Sequence, residues 1–190
     1  MAAKIKTPLL TTERLHLLVP GPKDARRMLW YVLENRDHLA PWEPVRFQAY
    51  FTEEFWRQEL AAAQREYLDG LSLRLALVES GDAGGPIVGT ANFRNIVRGV
   101  FQACHLGYSL DHRFQGRGLM QEALTAAIAH VFQELGLHRV MANYMPHNER
   151  SARLLQRLEF TVEGQAKSYL FLDGAWRDHV LTSRINPKEG

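Results

Sequence analysis

The chain has 190 residues, of which 46% are hydrophobic and 23% charged, with a formal net charge of +2. That length holds one domain or two small ones with a substantial core, and the small net charge excludes nucleic-acid binding driven by bulk electrostatics. The single cysteine, Cys104, rules out an intramolecular disulfide and fits a reducing compartment.

Leu15, Leu17 and Val19 alternate onto one face and predict a strand, which Pro20-Gly21-Pro22 ends. Asp24 is placed to cap a helix running to about Arg36, with Met28, Leu29, Val32 and Leu33 on one side. Pro41-Trp42-Glu43-Pro44 is non-helical, because a residue before proline is pushed to extended geometry. Thr52, followed by Glu53 and Glu54, opens a second helix to about Leu68. Trp30 and Trp56 are expected in the core under these helices. Strands follow over 71–78, 86–93 and 101–110, with Cys104 read as a buried structural thiol. A long helix reaches Leu135 and stops at Gly136. Further strands are expected over 138–144 and 160–164, separated by a helix that Asn148 caps. Residues 167–172 and 175–181 form a final hairpin about Asp173-Gly174. There is no repeat, linker or low-complexity segment. The expectation is one α/β domain over 9–184, with a mixed, mostly antiparallel sheet and flexible ends at 1–8 and 185–190. No run of about 18 apolar residues occurs, and Met1-Ala2-Ala3-Lys4-Ile5-Lys6 lacks a long apolar segment, so a signal peptide is not expected there. A soluble, cytoplasmic protein with no membrane partner is expected.

The stretch Arg113-Phe114-Gln115-Gly116-Arg117-Gly118-Leu119-Met120 joins a predicted strand to the long helix. A glycine loop at a helix N-terminus presents unpaired N–H groups to an anion, and Arg113 and Arg117 add positive charge. A diphosphate fits this chemistry. The string is not a Walker loop, which needs Gly-x-x-x-x-Gly-Lys-Ser/Thr, and it is not a dinucleotide fingerprint, because Gln121 stands where the third glycine belongs. The eight histidines show no metal-ligand spacing on a predicted helix, so no metal is expected, and His105, His112 and His130 are read as structural or surface residues.

The spacing Arg113-x-x-Gly116-x-Gly118 between strand and helix resembles the acetyl-CoA signature of the GCN5-related N-acetyltransferase (GNAT) family, and the element order of the chain resembles it too. Asn148 and Ser151, followed by Leu154, Leu155, Leu158 and Phe160, are similar to a second motif of that family. Glu159 departs from it, standing where the family usually has Gly, which predicts a slightly strained turn. Segments 40–46, 91–99, 141–148 and 173–179 are similar to the family's bacterial ribosomal-protein alanine N-acetyltransferase branch. The resemblance implies a GNAT fold, with about seven strands and four helices splayed at an acetyl-CoA cleft.

It also implies roles. Gln115, Gly116, Arg117, Gly118, Leu119 and Met120 would hold the diphosphate, and Tyr108, Ser109 and Leu110 would pair with the pantetheine arm like an added strand. An N–H near Leu110 would face the thioester oxygen, and Asn148 would bond the arm. Ser151 would donate to the departing thiolate. Its bland alternative is a serine that bonds the helix backbone. Glu43 is the candidate base toward the acceptor amine, against an ordinary ion-paired carboxylate. Trp42, Asn92, Tyr169, Trp176 and Asp178 are candidate walls for the acceptor. Ser168 lies where some relatives carry an acidic residue. The expected activity is acetyl transfer to the N-terminal amine of a protein, an alanine of a small-subunit ribosomal protein. Another N-terminal residue, a small amine, or a non-catalytic CoA-binding role in ribosome assembly stay as alternatives.

Overall fold

The computed structural model describes residues 9–188. The expected flexible segment 1–8 lies outside them. Two short strands, β1 (Leu10–Thr11) and β2 (Leu15–Leu18), open the chain. Then come α1 (Ala25–Glu34), the one-turn α2 (Arg36–Leu39) and α3 (Glu53–Leu68). β3 (Leu73–Glu79), β4 (Ile87–Val97) and β5 (Ala103–Leu110) form a meander, followed by α4 (Leu119–Gln133), β6 (Arg139–Met141) and α5 (Glu149–Arg157). β7 (Thr161–Leu172) and β8 (Ala175–Ile185) make the closing hairpin.

The eight strands of the described residues join one sheet in the order β1-β2-β3-β4-β5-β6-β8-β7. Among them, only β5 and β6 run parallel, and α4 is the crossover between them. Alternate residues of β3 show how the two faces are filled. Leu73, Leu75 and Leu77 pack with α4 and α5 residues such as Leu124, Ile128 and Leu155. Ala76 and Val78 point the other way, onto Met28 and Val32 of α1 and Leu60 of α3.

Most sequence-derived elements stand, with differences that have local causes. Among the described residues the sheet has eight strands where the family resemblance implied about seven; β1, whose two residues pair with His16 and Leu17, was not expected from the sequence. The expected first helix breaks at Asn35, giving five α-helices rather than four among the described residues. The fully buried Asn35 side chain donates to the Tyr31 carbonyl at 3.0 Å and to Asp111 Oδ2 at 3.2 Å. It thus serves a tertiary contact rather than a continuous helix. The separate strands expected over 160–164 and 167–172 are one strand with irregular register between Val162 and Gly164 and between Ala166 and Leu170. Ser168 sits in the second of these at φ 49°. The last strand also runs further than expected: β8 reaches Ile185, and Asn186 is 5% exposed with its backbone N–H donated to His138 O at 2.8 Å. Trp30 is corrected too: it is 41% exposed, with the Arg113 guanidinium 5.1 Å over its ring. Trp56 does pack against the α1–α3 cluster. Cys104 is fully buried, and burial pushes its thiol up to about 12, as a structural thiol requires.

Candidate active site

The parallel pairing of β5 with β6 covers three positions, Ala103 with Arg139, Cys104 with Val140 and His105 with Met141. β5 continues to Leu110, while β6 ends at Met141. The sheet therefore opens beside Gly107, Tyr108, Ser109 and Leu110, which remain paired on their other side to β4. A cleft of about 1160 Å³ fills the opening. Its floor is residues 107–110. One wall is the loop into α4, the opposite wall is α5, and Trp42, Glu43, Leu170 and Leu172 close its far end.

The loop's two glycines earn their place by conformation. Gly116 has φ 75° and Gly118 φ 74°, the left-handed region that costs other residues about 1–2 kcal/mol. Gly118 is the N-cap of the 15-residue α4, so the first-turn N–H groups of that helix face the cleft without a side-chain cap. The loop is anchored from below by Asp111. Burial of that carboxylate raises its pKa, but hydrogen bonds from Arg113 and Asn35 outweigh the effect and hold it at about 2. Arg113 donates to Asp111 from Nη2 at 2.6 Å, from Nε at 3.0 Å and from its backbone N–H at 2.9 Å.

This changes the role of Arg113, which was expected to supply charge to the bound anion. It is spent on Asp111. The Arg117 guanidinium lies over Phe114. The cations that line the cleft are instead Arg150, Arg153 and Arg157 of α5. Arg150 donates to Gln115 Oε1. The Gln115 amide nitrogen sits 2.7 Å from His38 Nε2. The amide nitrogen can only donate, so His38 Nε2 accepts; burial first, then the charges of His112 and Arg150, lower the His38 pKa. These contacts span 35 and 77 residues of sequence, and no short motif signals them.

Asn148 caps α5 as expected, accepting from the Ser151 backbone N–H at 3.1 Å. The Ser151 side chain lies against a phenol. Its Oγ is 2.5 Å from the Tyr108 hydroxyl. Burial pushes Tyr108 up to about 12. Beneath the floor, Ser109 Oγ meets the Tyr31 hydroxyl at 2.8 Å and Thr90 Oγ1 at 3.0 Å, and Asn92 Nδ2 donates to Thr90 at 3.4 Å.

At the far end, Glu43 Oε2 accepts from Arg46 Nη2 at 2.8 Å and Nε at 3.1 Å. The Glu43 carbonyl accepts from Asp173 N–H at 3.0 Å, tying the proline loop to the tip of the β7–β8 hairpin. Trp42 stacks near His147 with ring centroids 5.5 Å apart.

Of the residues singled out in the sequence, the cleft brings together Tyr108, Ser109, Leu110, Gln115, Gly116, Gly118, Leu119, Met120, Asn148, Ser151, Trp42 and Glu43. It does not bring in Arg117, Asn92, Tyr169, Trp176 or Asp178. Tyr169 accepts from Asn143 Nδ2 at 3.3 Å, and Asn143 does line the cleft. Trp176 is 62% exposed on the hairpin beside Phe171. Asp178 Oδ1 accepts from the Ser168 N–H at 2.8 Å. Among the described residues, no cluster of three or more His, Cys, Asp or Glu is placed to hold a metal ion, and no helix is long and apolar enough to cross a membrane.

Comparison with known proteins agrees with this architecture. The model of the acetyltransferase (GNAT) domain matches residues 14–161. The chain is 47% identical over 178 residues to the [ribosomal protein uS5]-alanine N-acetyltransferase of Escherichia coli K12, covering 94% of this chain and 91% of that protein. It is 31% identical to the probable N-acetyltransferase YjcK of Bacillus subtilis 168, covering 87% and 91%. The crystal structure of ribosomal-protein-S5-alanine acetyltransferase from Vibrio fischeri superposes with a TM-score of 0.89 at 42% identity, covering 94% of this chain and 96% of that one. The structure of Mycobacterium smegmatis RimJ in complex with CoA-disulfide superposes with a TM-score of 0.84 at 28% identity, covering 92% and 83%. With its splayed sheet, its glycine loop at the head of α4 and these relatives, the chain belongs to the GNAT acetyltransferase family.

Proposed function

We propose that the protein transfers the acetyl group of acetyl-CoA to the N-terminal amine of another protein, and that the acceptor is a small-subunit ribosomal protein beginning with alanine. The observation that carries this reading is the 47% identity, across 94% of the chain, to an enzyme named for uS5 alanine. The site chemistry supports it. Left-handed glycines and the open head of α4 suit a diphosphate, and a strand edge free from Gly107 to Leu110 suits an extended amide chain. The bound co-substrate supplies an acetyl thioester.

Every other contribution comes from the chain. The N–H groups of residues 115–120 receive the diphosphate, and Arg150 adds charge beside them. Backbone groups of 107–110 align the pantetheine amides, with the amide of Asn148 as a side-chain partner. An N–H near Leu110 faces the carbonyl oxygen on which charge develops. Ser151 donates a hydrogen bond to the departing sulfur. The acceptor amine has a reference pKa of about 7.7–8.0, so a modest base suffices. Glu43 fills that role, directly or through water, and Arg46 keeps its carboxylate oriented. Trp42 and the hairpin over residues 169–178 border the acceptor's path, while Asn92 supports the floor through Thr90. The domain spans 9–186.

The test is acetyl transfer from acetyl-CoA to peptides that differ only in their first residue, Ala, Ser or Met, followed by mass spectrometry. Acetylation of the Ala peptide ahead of the others is the expected result. Preference for Ser or Met would contradict the acceptor, and no product with any peptide would contradict the activity.

A further inference from the structure

A serine that donates to a departing sulfur needs its one hydrogen aimed into the cleft. The surroundings of Ser151 bear on that directly. Its backbone N–H is taken by Asn148 Oδ1, so the cap of α5 is complete without its hydroxyl. Its Oγ lies 2.5 Å from the Tyr108 hydroxyl, and both residues line the cleft. Only one of two hydroxyls can donate across such a contact. If Ser151 donated to Tyr108, its hydrogen would be lost to the reaction.

We infer that Tyr108 donates to Ser151 Oγ, turning the serine hydrogen toward the acyl donor, and that Tyr108 is a positioning residue for acetyl transfer. This rests on the acetyl-CoA reading above. A phenol is a more acidic donor than an aliphatic alcohol, so the phenol is favoured as the giver. Burial keeps it protonated, with its pKa near 12. The ring is fixed: Tyr108 packs against the main core cluster, with its Cα registered opposite Ala91 on β4. A hydroxyl that accepts a hydrogen bond also becomes a better donor through its own hydrogen. No covalent bond is made or broken at Tyr108.

The test is steady-state acetyl transfer by the wild type, Tyr108→Phe, Ser151→Ala and the double variant, with acetyl-CoA binding followed by thermal shift. Tyr108→Phe is expected to lower kcat about tenfold, the worth of one hydrogen bond, with the acetyl-CoA KM within about twofold. Ser151→Ala is expected to cost about a hundredfold. The double variant should be no slower than Ser151→Ala, because Tyr108 acts only through that serine. It also removes both hydroxyls together, so no buried group is left unpaired and folding is protected. A wild-type kcat in Tyr108→Phe would overturn the assignment. So would losses that multiply in the double variant, or a Tyr108→Phe defect larger than that of Ser151→Ala, which would make the phenol the direct donor. Absence of transfer by the wild type overturns the functional reading itself, and the assignment with it.

Discussion

The two ends of the cleft are built differently. The end proposed to hold the acetyl donor is made of backbone: two left-handed glycines, the first turn of α4 and a strand edge left open by the departure of β6. The end proposed for the acceptor is made of side chains carried by distant segments, the proline loop around Glu43 and the β7–β8 hairpin, joined by a backbone bond between Asp173 and Glu43. A diphosphate and an amide chain need N–H groups at fixed points, which any sequence with the right glycines can supply. An acceptor needs shape and charge that suit one chain terminus. A site made of backbone tolerates side-chain change around it, and a site made of side chains does not.

Four substitutions sharpen that contrast. Glu43→Gln is the largest expected effect: a kcat about a hundredfold lower, with the acetyl-CoA KM held, because it touches only the acceptor end. An unchanged kcat would remove Glu43 as the base. Asp111→Asn strikes the anchor of the donor loop. The carboxyl's folded pKa of about 2 lies below its ordinary 3.8. Its stabilisation is therefore complete above about pH 4, is lost as pH falls through the folded value, and corresponds to about 2 kcal/mol. Melting curves should show the variant less stable at pH 7, with the gap closing as pH drops from 4 toward 2. A gap that stays constant with pH would contradict this.

Gly118→Ala is expected to cost about 1–2 kcal/mol of stability, because φ 74° disfavours a side chain. Isothermal titration should show weaker acetyl-CoA binding, while the acceptor-peptide KM stays put. The nearest atom to an added Cβ is Arg14 Nη2 at 3.7 Å, so crowding is not the cause. Glu159→Gly should act in the opposite direction. Glu159 sits at φ 62° and pairs with Arg184 at 2.7 Å on an exposed surface. Relief of the backbone outweighs an exposed ion pair, for a net gain of about 0.5–1 kcal/mol in chemical denaturation and no change in turnover.

The contrast also explains what the sequence revealed. The geometry of the glycine loop was legible because its requirements are local: Gly-x-Gly, a strand before and a helix after. Asn148 was legible as a cap for the same reason. The left-handed turn at Glu159 showed itself as a side chain where the resembled family usually has Gly. Features that depend on tertiary partners stayed hidden. The break at Asn35 answers to Asp111, 76 residues away. Arg113 read as a phosphate ligand because its neighbour in sequence is the loop, while its neighbour in space is a buried carboxylate. The contact between Tyr108 and Ser151 spans 43 residues and carries no spacing signal. Arg150, Arg153 and Arg157 share one face of α5 by their i, i+3 and i+4 spacing, but Asn148 and Ser151 do not mark that face, so the spacing gave no sign that the arginines line the cleft.

The central claim, acetylation of one alanine terminus on the ribosome, is tested most directly by mass spectrometry of the proteome's N-termini in cells with and without this gene. One small-subunit ribosomal protein beginning with Ala is expected to lose its acetyl group while other N-termini keep theirs. An unchanged set of ribosomal N-termini would contradict it.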